Sequence, residues 1–406
     1  MNIDLKKYTS EDKKNILYGA GVIGEMCEFA FRDNNFKVDY FCDSSIEKQG
    51  KKLKGIKILS PQELEKFKRN TNIFISNNYF SHLKKELNNK NFTNVFDCSD
   101  ILTSTDFSKS EISINPFKIE RWVAFYNAMV KKENFKKDKL LYVKSLDVQI
   151  TEKCSLGCKD CSNLMQYYSK PKDSDYETLI RSINKFMNCV DEIYEFRVLG
   201  GDPFMNKEMH KIINHLSSFQ KVKTIAIYTN ARFIPKNENF DCLKNPKVIL
   251  DISDYLLIER EKRKADDLIK VLEKNNIKYN LARMSVWSDS GRILPFQKRT
   301  HSEKLNLFNN CCNSDIISLL HGKLYRCPFS ANGTNLKAIP QDNSDIVNLI
   351  DENISTKDLK KAIYNLVYNK EFLTACNYCN GRDFSTKEIK AAIQKPTTKP
   401  LEFKKF

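Results

Sequence analysis

The chain has 406 residues, room for two or three domains with a sizeable core, and a formal charge of +16. Residues 1–12 are polar and no apolar run approaches the length of a membrane span, so the expectation is a cytoplasmic protein with no membrane partner. The lysines are spread along the whole chain and no basic-aromatic strand motif accompanies them, which argues against nucleic acid as the partner, although a basic surface suits an anionic small-molecule substrate.

Asn15-Ile-Leu-Tyr18 predicts a short buried strand, Gly19-Ala-Gly21-Val-Ile-Gly24 a tight turn, and Glu25 to Arg32 a helix. Val38 to Asp43 predicts a second strand, ending in an acid about twenty residues after the glycines, as in the dinucleotide fingerprint. In that setting the helix N-terminal amides meet a phosphate and the acid meets a ribose or base, so Gly19, Gly21, Gly24 and Asp43 are candidate ligand contacts. A turn and strand from Gly55 to Pro61, then strands Asn72 to Ser76 and Asn94 to Phe96, close the unit within residues 1–105. The layout resembles the small Rossmann-like domain of nucleotide-sugar N-acetyltransferases, which implies a nucleotide or nucleotide sugar as ligand. The glycines alone leave NAD(P) and a ligand-free docking role open. Residues 106–142 read as linker and helix, with Trp122, Phe125 and Met129 suited to a core.

Leu146 to Ile150 alternates as a buried strand and delivers Cys154-Ser-Leu-Gly-Cys158-Lys-Asp-Cys161. Three thiolates in one loop leave a metal position open, where closed zinc sites and ordinary cubanes take four protein ligands. Spacing alone also allows zinc with a distant fourth ligand. A second strand, Tyr194 to Leu199, runs into Gly200-Gly201-Asp202-Pro203, and a third, Thr224 to Tyr228, into Thr229-Asn230. A fourth, Val248 to Leu250, gives Asp251-Ile-Ser253, and a fifth, Ile277 to Leu281, is followed by Arg283. Polar residues at successive C-terminal strand ends are the layout of a barrel active site.

The cysteine loop, the Gly-Gly-Asp-Pro turn and the Thr-Asn element together resemble the radical S-adenosylmethionine (SAM) superfamily. The resemblance implies that Cys154, Cys158 and Cys161 hold a [4Fe-4S] cluster whose open iron binds S-adenosyl-L-methionine. It further implies that Gly200, Gly201, Asp202 and Pro203 meet the methionine amino group, and that Thr229, Asn230, Ser253 and Arg283 lie along the rest of the cofactor. Asp202 stands where the family has Glu, Ala231 where it has Gly, and Asp160 where it has an aromatic that packs on adenine.

Of the thirteen cysteines, Cys27, Cys42, Cys98, Cys189 and Cys242 are scattered and read as small buried hydrophobes in a reducing compartment. Cys311-Cys312 precedes a hairpin, Ile316 to Arg326, Cys327 follows it, and Cys376-Asn-Tyr-Cys379 comes after a helical stretch from Thr356 to Tyr368. Four thiolates make a fully ligated site, with Cys312 the choice over Cys311 because it lies nearer the strand. The pattern resembles the twitch form of the SPASM domain, which implies Cys312, Cys327, Cys376 and Cys379 around a second, auxiliary [4Fe-4S] cluster. Structural zinc is the alternative there.

The expected fold is α/β, with an N-terminal Rossmann-like parallel sheet and a partial (β/α)6 barrel over 143–300. A small cluster-binding hairpin-plus-helix domain over 301–395 and a tail, 396–406, complete it. The resemblance implies a radical SAM oxidoreductase that abstracts hydrogen from a sugar or nucleotide-linked sugar, by dehydrogenation or epimerisation, in surface-glycan or related biosynthesis. Its electron donor would be a flavodoxin or ferredoxin. A radical SAM peptide maturase is the enzymatic alternative, and a zinc-stapled nucleic-acid-binding protein the alternative from another class.

Overall fold

A computed structural model describes residues 13–406 apart from 69, 78, 113–115 and 384–385. The polar residues 1–12 lie outside the described residues. The chain divides into two compact units, Met1–Lys137 and Asp138–Phe406.

The first unit is built on a six-stranded sheet of β1 (Lys14–Tyr18), β2 (Tyr40–Cys42), β3 (Lys52–Leu53), β4 (Ile56–Leu59), β5 (Thr71–Ile75) and β6 (Val95–Asp97), in the order β3-β4-β2-β1-β5-β6. All neighbours are parallel except β3 and β4. The central strands are apolar over Ile16–Tyr18 and Ile73–Ile75, where helices cover them, and Phe31, Phe36 and Phe74 interlock with centroids 4.8–5.8 Å apart. The helix Val22–Asp33 starts flush against the sheet because a Cβ on Gly24 would lie 2.0 Å from the Gly19 carbonyl oxygen. The expected connector is instead part of this unit. Helix Pro116–Lys137 packs on it through Tyr126, which is fully buried, donates its hydroxyl to the Ile75 carbonyl and accepts from the Cys98 amide at 3.0 Å. A helix with Trp122, Phe125 and Met129 along one side has apolar surface to bury, and the nearest sheet takes it.

The second unit carries an eight-stranded sheet: β7 (Tyr142–Thr151), β8 (Glu192–Gly200), β9 (Val222–Thr229), β10 (Val248–Tyr255) and β11 (Tyr279–Met284) are all parallel. Beyond a short β12 (Val286–Ser288), strands β13 (Ile316–Leu320), β14 (Lys323–Tyr325) and β15 (Ile346–Asn348) extend the other edge, giving β11-β10-β9-β8-β7-β13-β14-β15. The hairpin is therefore no separate domain: β13 pairs in parallel with β7, Ser318 opposite Asp147, and continues the barrel sheet. Ile317 and Leu319 are buried with Leu146 and Val148, so leaving β7 as an edge would expose an apolar strand. One sheet face packs on helices Tyr176–Cys189, Met209–Ser218 and Ala265–Lys274. Phe186 and Phe196, fully buried there, contribute about 2–3 kcal/mol each. β16 (Glu388–Lys390) pairs antiparallel with β12. Residues 396–406 do not form a free tail, since Leu401 and Phe403 pack beside Tyr167 and Cys376. No helix among the described residues is long and apolar enough to cross a membrane.

Candidate metal centre

The loop leaving β7 holds Cys154, Cys158 and Cys161 against Leu156, Tyr255, Ile258, Trp287 and Ala392. Burial raises all three thiols, Cys158 to about 12, so a bare thiolate is costly here and coordination to iron is what would ionise them. The surroundings nevertheless donate to sulfur. The Leu156 amide points at Cys154 and the Asn163, Leu164 and Met165 amides at Cys161. Asn230 Nδ2 lies 3.6 Å from Cys154 Sγ, and Gln394 Nε2 3.5 Å from Cys158 Sγ. Three sulfurs in one loop, each met by N–H donors, fit an iron–sulfur cluster. Among the described residues no group of three or more His, Cys, Asp and Glu side chains is arranged to hold a single metal ion, and a cubane makes no such demand because each thiolate binds its own iron.

The end of β8 lies directly on this loop. A Cβ on Gly200 would be 2.0 Å from the Thr151 oxygen, and one on Gly201 would be 2.1 Å from the Lys153 oxygen and 3.0 Å from Cys154 Cβ. The Gly201 and Asp202 amides donate to those same two carbonyls at 2.9 and 2.8 Å. The Asp202 carboxylate is 1% exposed and accepts from the Phe204 and Asn230 amides and the Thr229 hydroxyl at 2.9–3.0 Å; burial holds it up at about 6. Its side chain therefore ties the Gly-Gly-Asp-Pro turn to the Thr-Asn element, which leaves the backbone of the turn as the part expected to meet the cofactor. Pro203 is buried as the turn leaves. Ala231 sits at φ +53°, a left-handed backbone that glycine adopts freely and alanine rarely.

Ser253 reaches the loop through Tyr255, to which it is hydrogen-bonded and which faces all three thiols. Arg283 does not come to the site. It is opposite Asp254 in the β10–β11 register, one position off Ser253 and Tyr255, and side chains alternate across a strand. It pairs with Asp254 at 3.3 Å and with Asp266, in a group completed by Arg263. Asp160 pairs with Arg292, and Gly291 passes so close that a Cβ would lie 1.9 Å from the Asp160 oxygen. The nearby aromatics come from elsewhere: Tyr255 and Trp287 meet edge to face at 5.2 Å.

The barrel face of the sheet carries polar residues that the sequence reading passed over or left as strand ends. Arg197 lies 4.7 Å over the Tyr228 ring and 3.3 Å from Asp147, and Asn280 donates to Asp251 at 3.0 Å. The signal was alternation: Asp147, Gln149, Glu195 and Arg197 occupy every second position of otherwise apolar strands. Asp147 is 1% exposed, and burial holds its carboxyl up at about 6 in spite of Arg197. From about pH 4 to that value the unfolded chain has released the proton while the folded chain keeps it, so stability falls as pH rises through the window. Asp147→Asn is expected to flatten this slope, about 2–3 kcal/mol, in urea unfolding from pH 4 to 7; an unchanged slope contradicts the assignment.

A second pocket is lined by Cys311, Cys327, Cys376 and Cys379 with Phe308, Phe329 and Leu373, and encloses about 500 Å³ of empty space, solvent at its mouth included. Cys312, the expected member of this set, is exposed and points to its neighbour Asn313, and Cys311 lines the pocket in its place. Cys311 caps helix His301–Asn310 in extended conformation, so consecutive side chains diverge and the one nearer Phe308 turns inward. The Ser330 and Gly381 amides donate to Cys327 and Cys379 sulfur, each at 3.3 Å. Ser162, which follows Cys161, lines this pocket as well.

In the first unit Asp43 is already engaged: the Ala20 and Ser45 amides and Lys48 Nζ lie 2.8–3.2 Å from its carboxylate. It locks the glycine turn to β2. A Cβ on Gly19 would be 2.4 Å from the Ser76 oxygen, whereas one on Gly21 meets nothing within 4 Å. Of the three glycines, Gly21 alone borders open space, at the start of a helix with no side-chain cap.

Residues 147–270 match the family model for a 4Fe-4S single cluster domain, and residues 11–94 match C2185-like, N-terminal. Mitochondrial GTP 3′,8-cyclase of Arabidopsis thaliana is 26% identical over 175 residues, 40% of this chain and 44% of that protein. GTP 3′,8-cyclase of Clostridium acetobutylicum is 32% identical over 96 residues, 22% of this chain and 28% of that one. The chain thus spans less than half the length of these relatives. A solved structure of BtrN in complex with AdoMet and 2-DOIA is 14% identical, with 59% of this chain and 93% of that chain covered at a TM-score of 0.36. The cysteine loop on a parallel α/β sheet and the cluster-domain match define an iron–sulfur enzyme of the SAM-dependent class. In these features residues 147–270 are similar to the radical SAM superfamily, and the cofactors are a [4Fe-4S] cluster and S-adenosyl-L-methionine.

Proposed function

We propose that the protein is a radical SAM oxidoreductase that dehydrogenates an alcohol carbon of a sugar or nucleotide-linked sugar. The observation that carries this is the second pocket. Four thiols from three segments converge in an apolar enclosure, a complete donor set for an auxiliary [4Fe-4S] cluster with no position left for substrate. Such a group suits electron acceptance. When bound at Cys154, Cys158 and Cys161, the first cluster supplies the electron that splits SAM and so creates the hydrogen-abstracting 5′-deoxyadenosyl radical. The chain's residues bind and orient. The Gly200-Gly201 backbone and the Asp202–Thr229 tie hold the two cofactor-facing turns together, and Arg197, Tyr228, Asp251 and Asn280 give the barrel interior the hydrogen-bonding groups a hydroxylated substrate needs. The first unit by itself, with its open turn at Gly21, suits a nucleotide or nucleotide-sugar ligand. A flavodoxin or ferredoxin would supply the electron.

The net step converts H–C–OH to C=O: one hydrogen atom leaves to 5′-deoxyadenosyl, the hydroxyl proton leaves to solvent or a base, and a cluster held by Cys311, Cys327, Cys376 and Cys379 would take up the remaining electron. Nucleotide sugars deuterated at successive carbinol carbons should therefore, at one position, place a single deuterium in 5′-deoxyadenosine and yield a ketone. Deuterium transferred with solvent hydrogen returned to the carbon would mean epimerisation. Label arriving only from a peptide, or only from GTP, the nucleotide named in the curated relatives, would replace the sugar reading.

A further inference from the structure

Residues 388–406 form a strap along the second unit. After β16 pairs with β12, Ala391 and Ala392 are buried, Ala392 with Leu156 and Cys158. The Lys159 amide then donates to Ile393 O at 2.8 Å, and the Lys395 amide to Gly157 O at 2.7 Å. Between these two bonds the Gln394 amide is engaged at both ends. Its Oε1 accepts from the Gly157 amide at 2.9 Å, and its Nε2 donates to Ala392 O at 2.7 Å and lies 3.5 Å from Cys158 Sγ. Farther on, the Leu401 amide donates to Gln166 O and Phe403 packs on Tyr167 at 5.4 Å, which anchors the strap beyond the glutamine.

We infer that Gln394 is a positioning residue for the first cluster, fixed by the strap so that its amide donates to the Cys158 sulfur and raises the cluster's reduction potential. The inference rests on reading Cys154, Cys158 and Cys161 as cluster ligands. A reduced cluster carries one more negative charge than an oxidised one, and part of it resides on the thiolate sulfurs. An N–H dipole aimed at sulfur therefore favours the reduced form. The carbonyl end, held by Gly157, prevents the amide from turning over and presenting oxygen to the sulfur. Asn230 supplies the matching donor at Cys154, so two of the three sulfurs receive a side-chain amide.

The test is potentiometry followed by electron paramagnetic resonance on the anaerobically reconstituted full chain, reading the cluster signal that changes when SAM is added. Gln394→Met keeps the length of the side chain and removes the donor; iron should be retained and the potential should move negative. Gln394→Glu keeps an acceptor for Gly157 and places negative charge beside the sulfur, so its potential should move further the same way. Potentials equal to or above wild type at full iron content overturn the inference and leave the cluster assignment standing. If one variant fails to hold iron, the other decides by the same criterion, and loss of iron from both reduces the strap to a structural clasp and overturns the electronic role. No SAM-responsive iron signal in the wild type sinks the cluster assignment itself, and this inference with it.

Discussion

Simultaneous replacement of Cys154, Cys158 and Cys161 by Ala is expected to abolish reductive cleavage of SAM and to remove about four of about eight irons per chain after anaerobic reconstitution. They are the only thiols in the connection after β7, and N–H groups from the loop, from the residue after β9 and from the strap already converge on them. Alanine is smaller and apolar, so Leu156 and Ala392 keep their contacts and the barrel should still fold. Iron content and 5′-deoxyadenosine, measured together with far-UV circular dichroism, separate a lost cluster from a lost fold. Continued 5′-deoxyadenosine formation by the triple variant would falsify the central assignment.

Cys311→Ala should remove the other half of the iron and end ketone formation, while SAM cleavage continues without coupling to product. Cys312→Ala should leave iron content and turnover near wild type. The difference follows from one dihedral step, because helix His301–Asn310 stops at Cys311, whose side chain falls into the pocket with Cys327, Cys376 and Cys379, and the next residue points to solvent. Equal iron in both variants, or iron lost only from Cys312→Ala, contradicts that arrangement. Zinc recovered from this pocket in place of iron would remove the electron-accepting role on which dehydrogenation rests, and would favour a reaction that returns a hydrogen atom to the substrate.

Much of the site is local in sequence and was legible there. The cysteine loop, Gly200-Gly201 and Thr229-Asn230 each follow a strand whose alternation is visible, so their convergence at one end of a parallel sheet needed only the barrel layout. The glycine turn of the first unit was readable for the same reason. Strand length was not. The expected strand Val248 to Leu250 runs on as Val248–Tyr255, and the expected strand Ile277 to Leu281 is displaced to Tyr279–Met284, because polar side chains that face a barrel interior do not look like strand in a hydropathy pattern. That error placed Arg283 at a strand end, when register sends it to Asp254.

By itself, then, the sequence determined the class of chemistry: which residues can bind iron, which turns carry glycine where a backbone must pass another, and that no apolar stretch of membrane length exists. Only the tertiary structure decided which of two adjacent cysteines faces the pocket, that Asp202 and Asp43 spend their carboxylates fastening turns, and that the hairpin continues the barrel sheet. The same holds for Gln394, which meets a sulfur 236 positions earlier in the chain. Ligand type and turn type are set by a few neighbouring residues. Side-chain direction, register and the partners of a buried polar atom depend on what the rest of the chain brings alongside, and local pattern carries no record of that.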